Sequence, residues 1–155
     1  MTTSFPAVRG REKARSEMYV PYNPNPSGRD GIDCTVRALT KALDIPWEKA
    51  YTMLAVNGFI LNDVMNATHV FGETLKQNGF TRHVIPDTCP ACYTEADFAA
   101  DHPEGTYVLA FGDHVCTIIS GNWYDSWDSG WRVPILYWTK EEPEPTETTE
   151  KRKDE

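Results

Sequence analysis

Cys34, His114 and a carboxylate from Asp125 or Asp128 are the residues of this chain whose types and order suit covalent chemistry. A thiolate attacks a carbonyl, an imidazole holds and returns its proton, and a carboxylate fixes the imidazole tautomer and supports the imidazolium. Cys34 follows the turn Gly31-Ile32-Asp33. It opens a stretch in which Val36, Leu39 and Leu43 recur at helical spacing, with Ala38 and Ala42 beside them. That spacing places the sulfur on the first turn of an amphipathic helix. Unpaired N–H groups and the helix dipole there favour a thiolate and suit an oxyanion next to it. Each residue also has an ordinary role to be weighed. A lone cysteine is commonly a buried core residue, a histidine at a strand start is commonly just hydrogen-bonded, and an aspartate in Asp-Ser-Trp-Asp-Ser-Gly commonly caps a turn.

The elements that must position these groups can be read along the chain. Tyr22-Asn23-Pro24-Asn25-Pro26-Ser27-Gly28 excludes helix, because each proline pushes its predecessor into extended geometry. It forms a rigid approach to the Cys34 turn and brings an asparagine side chain within range of the thiol. After the Cys34 helix, Pro46 opens a second one with Trp47, Ala50, Tyr51 and Leu54 on its face and Asn57-Gly58 as its stop. A third runs from Thr68 to Asn78-Gly79, Thr81 to Ile85 is strand-like, and Thr94-Glu95-Ala96-Asp97 opens a short helix through Ala100. From Thr106 the period changes to two. Strands are expected at 106–111, 114–120 and 123–128, then 131–138 with Pro134 at an edge or bulge. A two-residue turn at Gly121-Asn122 pairs residue 118 with 125, which puts Asp125 on the His114 face, displaced along the ladder, with Trp127 on the same face. Asp128 joins that face only through a bulge. The fold class is α+β, helices first and an antiparallel sheet second.

Composition bounds the rest. One domain fits 155 residues. The net charge of −8 argues against a nucleic-acid partner. From Lys140 onward seven acids stand against four bases, so three of the excess negative charges lie in a segment with Pro143, Pro145 and Glu/Thr alternation that can bury nothing. Residues 1–18 and 140–155 are accordingly expected as an arm and an acidic tail flanking a domain at 19–139. No apolar signal segment or membrane-length run stands in the sequence, so the expectation is a cytoplasmic protein with no membrane partner. Cys89-Pro90-Ala91-Cys92 is a lone CxxC, and even with His83 and His102 it is a weak zinc signal. Cys116, alternating with His114, reads as core. No metal or cofactor is called for.

The strings Asn23-Pro24-Asn25-Pro26, Asp33-Cys34-Thr35-Val36-Arg37-Ala38-Leu39, Asp101-His102-Pro103-Glu104-Gly105-Thr106-Tyr107, His114-Val115 and Tyr124-Asp125-Ser126-Trp127-Asp128 carry a resemblance. With a cysteine at a helix start and a late hairpin bearing His and Asp, the chain resembles the papain-like cysteine peptidases. It is similar in particular to small papain-fold proteins coded by bacteriophages and prophages, over roughly Tyr19 to Trp138. The resemblance implies Cys34 as nucleophile, His114 as general base and acid, and Asp125 or Asp128 as orienter. Such relatives place a side-chain amide ahead of the nucleophile to help bind the oxyanion. Gly28 and Arg29 occupy that neighbourhood here, which leaves Asn23 or Asn25 for the part, with the Cys34 N–H as the other donor. Asp33 and Asp113 adjoin the nucleophile and the base and would raise the thiol pKa if they faced inward. The function expected is a thiol hydrolase acting on a peptide or isopeptide amide of a protein or peptide substrate. The competing expectation is a non-catalytic binding module using Trp123, Trp127 and Trp131.

Overall fold

A computed structural model describes Arg15 and residues 17–140. In chain order the elements are β1 (Tyr19–Pro21), α1 (Cys34–Leu43), α2 (Trp47–Leu61), α3 (Thr68–Gln77), β2 (Phe80–Val84), α4 (Glu95–Asp101), β3 (Thr106–Ala110), β4 (Val115–Ile119), β5 (Asn122–Asp125) and β6 (Leu136–Lys140). The strands form one sheet in the order β1-β5-β4-β3-β6-β2.

The sheet is mixed rather than antiparallel. β1 runs parallel to β5, with Pro21 opposite Asp125, while every other pair is antiparallel. Neither is the sheet purely C-terminal, because Tyr19–Pro21 and Phe80–Val84 supply its two edges. The parallel edge has a simple cause: the proline-rich approach holds the chain extended, and Tyr22 N–H still donates to the Asp125 carbonyl at 2.8 Å where β1 ends.

Alternation along the strands separates two cores. Val108, Ala110, Val115 and Trp138 pack with Val36, Leu39, Leu54, Phe71 and Leu75 from the first three helices. Leu109, Cys116, Ile118 and Trp123 pack with Ala96, Phe98 and Ala99 of α4. Helices thus cover both faces. α1 packs against the sheet on one side and α2 on another, and it is buried over six consecutive residues, Thr35 to Thr40, rather than along one stripe. Thr117 Oγ donates to the Ala38 carbonyl at 2.7 Å, a buried bond that pins the middle of α1 to the middle of β4.

Several boundaries move from their expected places. α2 continues through Asn57-Gly58 to a left-handed Asn62. Gly58 is needed inside the helix, because a Cβ there would stand 2.8 Å from the Asp63 carbonyl oxygen. Trp131 to Ile135 is turn and bend, so Pro134 precedes β6 instead of interrupting it. α4 has the expected start, a capping box in which Thr94 and Asp97 satisfy each other's N–H groups. The arm and tail lie outside the described residues except at their inner ends, where Met18 packs on the second core and β6 runs to Lys140. Among the described residues no helix is long and apolar enough to cross a membrane.

Candidate active site

The hairpin that carries the histidine and the carboxylate turns one residue earlier than its sequence suggests. Ile119 pairs with Asn122 and Ile118 with Trp123, so the turn residues are Ser120 and Gly121. Both have positive φ, 50° and 75°, the type I′ pattern that suits the twist of a two-residue hairpin. Moving the turn by one residue moves the register by two, which preserves the faces. Asp125 therefore stays on the His114 side but passes from opposite Ile118 to the level of Cys116, within reach of the ring.

His114 sits just ahead of β4, in a turn closed by Phe111 N–H donating to the His114 carbonyl at 2.9 Å, with Gly112 at φ 95°. Its Nε2 lies 2.5 Å from Asp125 Oδ2, with both side chains buried. The Asp125 contact occupies Nε2 and leaves Nδ1 as the nitrogen for a second partner. Cys34, the first residue of α1, lies beside the ring: it lines one small cavity with His114, and its thiol is electrostatically linked to His114 and to the Val115 backbone. Trp127 covers the imidazole, ring centres 4.8 Å apart.

The electrostatics of this row favour an ion pair. Burial opposes a thiolate at Cys34, but the hydrogen bond to His114, its charge, the Val115 N–H and Thr35 together bring the thiol below its ordinary value. Burial likewise opposes an imidazolium, yet hydrogen bonds to Asp125 and Cys34 and the charge of both lift His114 to about 9. Burial also resists ionisation of Asp125. His114, Arg37 and Ser129 overcome it and hold the carboxyl below its usual range. The shifts run in one direction: Cys34 is moved toward thiolate and His114 toward imidazolium.

Arg37, one turn into α1, is the residue the sequence reading passed over. Its Nη2 binds Asp125 Oδ1 at 2.9 Å and its Nη1 binds Asp33 Oδ1 at 2.8 Å, so one buried guanidinium ties the helix start to β5. The signal was present: an arginine between Val36 and Ala38 on a helix this apolar needs an acid partner, and Asp33 stands four residues before it. Asp33 also accepts from Trp47 Nε1 at 2.9 Å. Engaged in this way, it makes no cap bond to α1, so the N–H groups beside Cys34 stay unclaimed by the residue most apt to cap them. Asp113 pairs with Arg132. The two acids next to Cys34 and His114 are thus each paired with an arginine, Arg37 being shared between Asp33 and Asp125.

Other expected members are placed elsewhere. Asp128 does not reach His114, since its Oδ1 accepts from Trp123 Nε1 at 3.0 Å and Gly130 N–H at 3.1 Å and shapes the loop after β5. Asn23 Nδ2 is spent on the Gly28 and Arg29 carbonyls. Asn25 Nδ2 is bonded to Asp33 at 3.3 Å, and its Oδ1 binds Ser27. Asn23 thus spends both amide donors and Asn25 one of its two on stiffening the approach, and neither lines the cavity at Cys34. A different amide is near: Asn66, in the loop before α3, lines a cavity of about 90 Å³ with Cys34, Thr35, Thr68, Gly112 and His114. Its sequence context, Asp63-Val64-Met65-Asn66, carries no local sign of this, because α2 and α3 must pack before the loop meets Cys34.

Cys116 is buried and its thiol donates to the Tyr124 carbonyl at 3.4 Å. Cys89 and Cys92 are exposed. His83 stacks on Tyr137 and His102 on Phe98, each in a packed setting. Among the described residues no group of three or more His, Cys, Asp or Glu side chains is arranged to hold a metal ion. Trp123 drops out as an exposed binding aromatic, being buried in the second core, whereas Trp127 and Trp131 remain accessible. Comparison of the chain with protein-family models, with curated proteins and with solved structures found no match.

Proposed function

We propose that this protein is a thiol hydrolase of the cysteine-peptidase kind, with a papain-like fold, cleaving a peptide or isopeptide amide through Cys34, His114 and Asp125. One observation carries the reading. A cysteine on the first turn of a helix shares a small cavity with a histidine whose Nε2 stands 2.5 Å from a buried carboxylate. In the reaction the Cys34 thiolate attacks the carbonyl carbon, and the developing oxyanion meets the Cys34 N–H and the Asn66 amide. The His114 imidazolium gives its proton to the leaving nitrogen, and the resulting neutral ring then takes a proton from the water that hydrolyses the thioester. Asp125 keeps the ring oriented throughout.

Limiting iodoacetamide at neutral pH tests the foundation of this mechanism. Cys34 should be alkylated ahead of exposed Cys89 and Cys92, and its rate should fall by about tenfold or more in H114A, when the imidazolium that stabilises the thiolate is gone. Faster alkylation of Cys89 or Cys92 would refute a nucleophilic Cys34.

A further inference from the structure

Behind the Cys34, His114 and Asp125 row lies a second carboxyl group. Glu95, the first residue of α4, is completely buried. Its Oε2 lies 2.7 Å from Ser129 Oγ, and the same hydroxyl lies 2.9 Å from Asp125 Oδ2. A serine hydroxyl has one proton and cannot donate to two carboxylates at once.

The protons can be counted. Asp125 receives Arg37 Nη2 at 2.9 Å and Ser126 N–H at 2.8 Å on Oδ1, and His114 Nε2 and Ser129 Oγ on Oδ2. With a guanidinium and an imidazole bound to it, Asp125 is the ionised member and carries no proton of its own. The proton between Asp125 and Ser129 is therefore the serine's. That leaves the bond between Ser129 and Glu95 to be made by a proton on Glu95 Oε2. The other oxygen, Oε1, is buried with no hydrogen-bond partner, tolerable for the carbonyl of a neutral acid and costly for a carboxylate.

We propose that Glu95 is a protonated positioning residue whose carboxylic acid donates to Ser129, turning the serine hydroxyl onto Asp125 and so fixing the carboxylate that orients His114. The proposal deepens the thiol-hydrolase reading and rests on it for its purpose, though not for its test. Burial pushes Glu95 up to about 7, with the nearby Asp125 charge adding to the effect and Cys116, Ser129 and His114 opposing it. The groups around it are Cys116 of β4, Asp125 of β5, His114 ahead of β4 and Ser129 of the following loop, with the Arg37 cation beyond Asp125. When Glu95 loses its proton, Ser129 must choose between two anions and Asp125 loses an assured donor.

The test uses the full chain without substrate, so it stands even if no hydrolysis is found. Infrared spectra should show the carbonyl stretch of a protonated carboxyl group at mildly acidic pH, disappearing as pH rises, and absent in E95Q. The proton NMR signal of His114 Nε2–H should step at the same pH in the wild type. E95Q, whose amide donates to Ser129 at any pH, should lack that step and keep Cys34 alkylation within about twofold of wild type, while E95A slows it by about tenfold, the worth of a lost bond to a charged group. S129A, a small change at a buried site, should shrink the His114 step while leaving the Glu95 carbonyl band in place. Absence of the band in the wild type, an undiminished His114 step in S129A, or equal slowing in folded E95Q and E95A would overturn the proposal. Ordinary Cys89 or Cys92 preference in alkylation would instead count against the hydrolase reading alone.

Discussion

Arg37 is where one side chain decides whether the site can exist. Asp33 precedes Cys34 and Asp125 follows His114 in the chain, and both carboxylates are turned toward the same buried guanidinium. Replacing Arg37 with Met keeps the apolar stem and removes the charge, which leaves Asp125 in a closed interior with a surplus of negative charge. Breaking a buried pair in this way costs about 3–5 kcal/mol. R37M should show that loss in urea unfolding, and R37K should recover little of it, because an ammonium cannot span two acids as a planar fork does. A loss below about 1 kcal/mol in R37M would mean that the pair contributes almost nothing to holding α1 against β5. The pairing was half legible in sequence, since Asp33 and Arg37 have helical spacing, but the long-range partner Asp125 was not. Glu95 and Ser129 were hidden for another reason: in Thr94-Glu95-Ala96-Asp97 and Asp128-Ser129-Gly130 both look like ordinary capping and turn residues, and only folding brings them together.

At the scale of elements, the hairpin shows what a pattern of residue types can and cannot fix. Alternation from Val115 to Asp125 identified both strands and the shared face, because face depends only on parity. Position along the ladder depends on which two residues turn, and Gly121-Asn122 and Ser120-Gly121 are both acceptable on composition. The structure uses Ser120 and Gly121, with Ser120 bearing a positive φ that serine rarely adopts. That choice puts Asp125 beside Cys116 in level and frees Asp128 to brace Trp123. Helix starts at Cys34, Thr68 and Glu95 were readable from local signals, whereas the end of α2 was not. Asn57-Gly58 looks like a stop until the close approach of Asp63 is seen. Gly121 has no such alternative reading: its φ is 75° and a Cβ there would lie 3.3 Å from the Ala99 carbonyl oxygen. G121A should cost about 1–2 kcal/mol in thermal or urea unfolding, while S120N, which supplies a residue at ease with positive φ, should hold or slightly raise stability. Equal effects of the two substitutions would contradict the turn position and with it the level of Asp125.

Across the whole molecule, the buried ionisable groups give stability a characteristic dependence on pH. Asp125, held below its ordinary 3.8, contributes stability that is present above 3.8 and lost as pH falls through its folded value. Glu95 acts at the other side. Below 4.5 it is neutral in both folded and unfolded chains and costs nothing. As pH rises from 4.5 the unfolded chain ionises while the folded one does not, and stability falls until the folded group titrates at about 7. That shift corresponds to a loss of about 3 kcal/mol. His114, raised from 6.5 to about 9, adds stability complete below 6.5 and lost as pH climbs through 9. Cys34, lowered from 9.0, gains stability as pH approaches 9.0 and offsets part of that limb. The melting temperature should therefore peak in mildly acidic solution, between the Asp125 and Glu95 limbs, at roughly pH 4 to 5. Melting curves of wild type and E95Q across this range separate Glu95 from the general repulsion of an acidic chain, since both proteins share every other charge. The difference between them should change by about 3 kcal/mol, in favour of E95Q, as pH rises from 4.5 to above 7, then stay level. A difference that does not vary with pH would show that Glu95 carries the same charge folded and unfolded, and the buried acid behind Asp125 would then have to be an anion with a cation yet to be found.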